Sequence, residues 1–175
     1  GVDLTGGSLS VTARGSDDNY AEAGAAAGGV VGVASAAPTT TTISNTTAEI
    51  RSSSAGRDID LTGGSGVLRI GADHTATVNT KVKTVAGGLI SGAGSSSTNN
   101  VTSNVTAAVG SDVDIRARDI AIDAANHFRK PELSAANISG TTGGLIAGAE
   151  ARSTTLISFT TLVNIGASAS LEVVG

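Results

Sequence analysis

The 175-residue chain has no cysteine, no methionine and no tryptophan, with one tyrosine, two phenylalanines and two prolines. Without cysteine there are neither disulfides nor thiolate metal sites, and the redox compartment stays open. The lack of methionine, an initiator included, is that of a processed or excerpted chain. Aromatic bulk is missing too, so the 39% of apolar residues is mostly alanine and valine, which fill only a thin core with backbones close together. Charge is equally sparse, at 15% of residues and a net −4. No basic cluster offers a footprint for nucleic acid or an anionic membrane. The longest lipid-like run, Ala23 to Ala37 with its Gly28-x-x-x-Gly32, falls short of the roughly 20 residues a membrane span needs. The N-terminus lacks the basic and apolar regions of a signal peptide.

What is abundant is glycine, at 24 residues, together with long Ser/Thr/Asn runs. Such a composition suggests disorder, but the mean hydropathy is positive and Val, Ile and Leu recur in alternating order. The glycines lie in an internal repeat. "AGGVVGVAS", "AGGLISGAG" and "TGGLIAGAE" place Gly-Gly pairs at Gly28-Gly29, Gly87-Gly88 and Gly143-Gly144, and a closing apolar residue at Ile50, Val109 and Ile165 moves with the same offsets. Each unit opens on a third landmark: "VDLTGGSLSV" from Val2, "IDLTGGSGVLRI" from Ile59 and, more loosely, "IRARDIAI" from Ile115. Extra residues in the second turn absorb a difference of two. The units run over about 1–57, 58–113 and 114–175.

Within the units the period is 2, as in Val101, Ser103, Val105, Ala107, Val109 and in Ala76, Val78, Thr80, Val82, which is strand patterning with one buried face. In the third unit the alternation runs from Ile157 through Ile165 to Val173. Shorter strands are expected at Leu9–Val11, Leu68–Ile70 and Ile120–Ile122, and no helical stripe is present. Propellers and sandwiches fill wider spaces with larger side chains. The expected fold is therefore all-β, a parallel β-solenoid built from three degenerate repeats of about 56–59 residues. Each repeat makes either one wide turn or about three coils of about 19 residues, and the shorter coils are the favoured expectation.

The order "GGLISGAG", then "SSSTNNVTSNVTAAVG", then "SDVDIRARDIAIDA" resembles repeats of very large bacterial exoproteins of the filamentous-haemagglutinin or autotransporter-adhesin type, over essentially the whole chain. The resemblance implies a right-handed parallel β-solenoid (β-helix) in a long extracellular, surface-attached or filamentous protein. The start of the third unit and the insertion-like "NHFRKPELS" from Asn126 depart from the pattern.

Chemistry-bearing motifs are few. A phosphate loop needs Lys-Ser/Thr after its glycines, and here Ala93-Gly94 and Ala149-Glu150 stand instead. Asp58, Asp60, Asp112 and Asp114, with Asp17-Asp18, are candidates for a loosely held calcium, although "GGSGVLRIG" lacks the aspartate of calcium-binding β-rolls; solvated carboxylates are the ordinary use. Asp112, Asp114, Asp119 and Asp123, with Arg116 and Arg118, could act as acid and base on a sugar if they converge, or form ionic ladders on an outward face. His74 and His127 lack metal spacing and read as surface residues. The threonines of "TTTTISNTT" raise ice binding, but Thr40 and Thr42 align with Asn99 and Val101, then with Thr155 and Ile157, so that array does not recur. Asn45, Asn100, Asn104 and Asn137 head Asn-x-Ser/Thr sequons.

The expected function is structural and non-catalytic. The chain reads as a rigid shaft or self-stacking filament segment, extracellular or at the cell surface, without cofactor, metal, nucleic acid or membrane span. It would associate end to end through its edges, with a glycan or cell-surface ligand in reserve. A carbohydrate-binding or polysaccharide-cleaving β-helix is the alternative, and an ice-binding solenoid a minor one.

Overall fold

A computed structural model describes residues 4–5, 7–52, 57–131 and 137–175, without the side chains of residues 4, 5 and 57. Val2, Asp3 and the end of the "NHFRKPELS" segment lie outside the described residues. The chain is all-β, with no helix among the described residues. Among the described residues twelve strands follow in order: β1 (Leu4–Thr5), β2 (Leu9–Ala27), β3 (Val31–Ala36), β4 (Thr39–Ile50), β5 (Arg57–Leu61), β6 (Val67–Gly87), β7 (Ile90–Val109), β8 (Val113–Ala117), β9 (Asp119–Arg129), β10 (Ile138–Gly143), β11 (Ile146–Ile165) and β12 (Ser170–Val173).

They form three four-stranded parallel sheets. The first orders β1-β5-β8-β12; the second sets β6 between β2 on one side and β9 and β10 on the other; the third sets β7 between β11 on one side and β3 and β4 on the other. Each unit contributes to the three sheets in turn, and β12 begins a fourth passage. Ile50 pairs with Val109 and Val109 with Ile165, while Gly87 pairs with Gly143. The landmarks legible in the repeat are thus neighbours across strands.

The expected coils of about 19 residues are not formed. Every strand pairs with residues one whole unit away, as in Asn45 with Asn104 and Ser97 with Ser153, so one unit makes a single wide circuit. The reason is strand length: β6 runs for 21 residues and β7 for 20, too long for a narrow coil. Two local expectations change as well. The sheet pairs Leu4 with Ile59 rather than with Leu61, and Leu9 with Leu68, so the turn through Gly63–Gly66 absorbs four residues and not two. The alternation from Ile157 to Val173 is not one strand, because Ala169 N–H bonds to Gly166 C=O and Ser168 has a φ of 58°. That turn carries the chain from the third sheet to the first.

The core sits where the three sheets meet. Leu68, Ile70, Val105, Val109, Val113 and Ile115 are fully buried there, each worth roughly 1.5–3 kcal/mol against exposure. Farther from the first sheet the interior between the second and third narrows, and its filling shrinks with it. Val78 and Val101 give way to hydroxyls at Thr84 and Ser95, 2.8 Å apart, and then to Ala34, Ala86 and Ala93 beside the glycine turn. At that end the buried apolar residues are all alanine.

Candidate functional site

The glycine pairs close the narrow end, where each unit passes from the second sheet to the third. Their two members differ. A Cβ on Gly28, Gly87 or Gly143 would meet nothing within 4 Å. At Gly88 the φ is 154° and a Cβ would strike the Gly29 carbonyl oxygen, and at Gly144 it would strike that of Gly88. Gly29 has a φ of 130°. In "AGGLISGAG", close packing and backbone conformation therefore rest on Gly88; Gly92 stands in open space and Gly94 is near only Ser35 Oγ, at 3.8 Å. No helix start or lysine accompanies these glycines, so nothing about them suits phosphate.

The outward residues of the first sheet form two columns, Asp58/Asp114/Ser170 and Asp60/Arg116/Glu172. Arg116 Nε donates to Glu172 Oε2 at 2.7 Å, and that bond holds its guanidinium above the ordinary range. Asp60 Oδ1 accepts from the Thr62 hydroxyl at 2.7 Å and the Thr62 N–H at 3.0 Å, which hold its carboxyl below the ordinary range. With one oxygen engaged and a guanidinium alongside, Asp60 is a poor calcium ligand. Asp112 sits in a turn with a φ of 56°, a conformation that Asp tolerates better than most residues. Asp17 and Asp18 point to opposite faces of β2. Among the described residues no group of three or more His, Cys, Asp or Glu could hold a metal.

A pH test follows. Lowering the Asp60 pKa stabilises the fold above its unfolded value, and that stabilisation disappears as acid titrates the group through its lowered folded pKa. Asp60→Asn should therefore lower the melting temperature slightly at neutral pH and not at all in strong acid. Because the pair is solvated, Arg116→Ala should leave thermal melting nearly unchanged.

The carboxylates considered for sugar chemistry do not converge. Asp114 is on the outer face of the first sheet, Asp119 opens β9, and Asp123 is on the outer face of the second. Asp123 instead borders a hollow of about 290 Å³ over Gly71, lined also by Ser10, Thr12, Arg14, Arg69 and Asp73. Its ion pairs are long, 3.7 Å for Arg69–Asp123 and 3.6 Å for His127–Asp73.

His74 is not at the surface. It is 2% exposed, between the second and third sheets, with Nε2 3.0 Å from Ser44 Oγ and 3.1 Å from Asp17 Oδ2, and Nδ1 3.1 Å from Thr46 Oγ1. A Ser-His-Asp relay needs serine and carboxylate on opposite ring nitrogens; here both approach Nε2. Gly15 faces the ring, and a Cβ there would lie 2.5 Å from Nδ1. Sequence alone contained the signal, since His74 falls within the even-numbered inward series of Ile70, Ala72, Ala76 and Val78.

No family model, curated protein or solved structure matches the chain. Among the described residues no helix is long and apolar enough to cross a membrane.

The outer face of the third sheet carries a run of threonines. Thr40 and Thr42, the column on which a threonine array was judged absent, point inward and are 6% and 4% exposed. The outward residues are their neighbours. On β4 these are Thr39, Thr41, Ile43, Asn45 and Thr47, with Glu49 following at the border. Beside them on β7 stand Thr98, Asn100, Thr102, Asn104 and Thr106. On β11 follow Thr154, Leu156, Ser158, Thr160 and Leu162. Three of the four sequon asparagines, Asn45, Asn100 and Asn104, are in this array, whereas Asn137 is buried.

Proposed function

We propose that the chain is a structural, non-catalytic segment of a very large extracellular or cell-surface β-solenoid protein, working as a rigid shaft. The observation that carries this reading is the whole-unit register, in which each unit lays its strands in parallel against the same strands of the next. Such a stack satisfies backbone donors and acceptors along its axis and grows by addition of units. A right hand is expected for it, because crossovers between parallel strands take that hand. The "GGLISGAG" resemblance supports the extracellular placement.

The stack also supports association between copies. The β11 edge exposes Ile146, Leu156, Ile157 and Val163, and an unpaired parallel edge templates further strands. Purified chain is expected to sediment as a concentration-dependent series of oligomers. A strictly monomeric profile up to high concentration would remove the self-stacking part of the proposal. The shaft itself is tested by length: ten added copies of residues 58–113 should extend particles in electron micrographs by about 48 Å at constant width. Particles that widen instead of lengthening would refute it.

A further inference from the structure

Over the fifteen central positions of this outer face on β4, β7 and β11 there is no charged residue and eight are threonine, while Glu49, Glu150 and Arg152 border the array on the same face. Composition does not explain this. The outer face of the second sheet, built by the same units, carries Arg14, Glu22, Arg69, Asp73, Lys81 and Asp123. Nor do the inward threonines account for it, since they have partners of their own, as in Thr40 Oγ1 donating to Asn99 Oδ1 at 2.8 Å. The outward series is a separate feature with a regular geometry. Neighbouring strands stand about 4.8 Å apart and same-face residues along a strand about 6.7 Å apart, a rectangular net close to the oxygen repeats on the prism face of hexagonal ice. The pairing is one to one from Thr39 to Ile50 and from Ile146 to Ile165, so no bulge shifts one row against the next. Asn104 Nδ2 donates to Asn45 Oδ1 at 2.9 Å and ties two rows together.

We propose that this face binds ice. Ice presents fixed donors and acceptors and no charge, so a charged side chain, which holds its own hydration shell, works against adsorption. Threonine offers a hydroxyl to continue the water net and a methyl to exclude disordered water, and β-branching limits its rotamers so that both stay in place. Ile43, Leu156 and Leu162 add apolar contact. The proposal rests on the register of the third sheet alone and stands whether or not the segment is part of a shaft.

The test measures inhibition of ice recrystallisation, and uptake of the 175-residue chain into a growing ice hemisphere, with serum albumin as reference. The parent chain is expected to inhibit recrystallisation and enter the ice. Thr102→Lys, at the centre of the array, should lose both effects with an unchanged circular dichroism spectrum, while Thr75→Lys on the outer face of the second sheet should keep them. Thr160→Lys, on the edge strand, repeats the test should Thr102→Lys unfold. A parent chain no more active than albumin would overturn the proposal, as would full activity in folded Thr102→Lys. Adsorption to crystalline cellulose or chitin without any effect on ice would overturn it too.

Discussion

Gly88→Val should destabilise the chain by about 3–5 kcal/mol, whereas Gly87→Ala, one residue earlier, should change stability by less than about 0.5 kcal/mol. The contrast follows from where a new Cβ would go. At Gly88 it would meet the carbonyl oxygen of Gly29 in the neighbouring unit, with those of Val30 at 3.1 Å and Ile90 at 3.3 Å. All three are backbone atoms and cannot rotate away. The φ of 154° adds strain that a β-branched residue tolerates poorly. At Gly87 the space is open, and alanine even restricts the unfolded chain in favour of folding. In thermal melts the Gly88 variant should fall by roughly 6–20 °C for a chain of this size. Gly144→Ala separates the two causes, because it meets the Gly88 carbonyl without a left-handed φ and should show the steric part alone. Equal melting of the Gly87 and Gly88 variants would show that the turn does not depend on contact between units.

The repeat made the cross-strand neighbours legible, since like residues in successive units are the ones that pair. It did not make the coil length legible. Similarity at about 56–59 residues is compatible with one circuit or several, and strand length decides between them. Phase was the second obstacle. Alternation assigns residues to two faces without saying which is inside, and in a core that buries serine, threonine and asparagine, polarity does not label the outside. Polarity alone thus puts Thr40 and His74 outside, although both belong to inward series that their apolar neighbours define. The turn before Leu68 misled for another reason: "IDLTGG" matches "VDLTGG" in letters, but the strands pair two residues out of that alignment. Local sequence similarity follows turn chemistry, while register follows burial.

The second large effect belongs to His74. Replacing it by leucine should cost about 2–3 kcal/mol, because Asp17, Ser44 and Thr46 lose the group they converge on, and an unpartnered polar atom inside the protein costs more than its hydrogen bond contributed. Part of the Asp17 penalty is relieved by solvent, since its side chain is 33% exposed. Asp17 Oδ2 is itself buried and makes no aligned hydrogen bond, despite lying 3.1 Å from Nε2. The cause can be isolated by removing the partners. In a chain already carrying Asp17→Ala, Ser44→Ala and Thr46→Val, His74→Leu should cost much less, because an apolar layer of similar volume leaves nothing unsatisfied. Gly15→Ala should approach the single variant in effect, since its methyl group presses on the imidazole and on Thr46 Oγ1, 2.6 Å away. Chemical denaturation of the variants gives the coupling energy between His74 and its partners as a double-mutant cycle. A cost for His74→Leu that is the same in both backgrounds would mean that the ring contributes by packing alone, and that the polar atoms around it stabilise nothing.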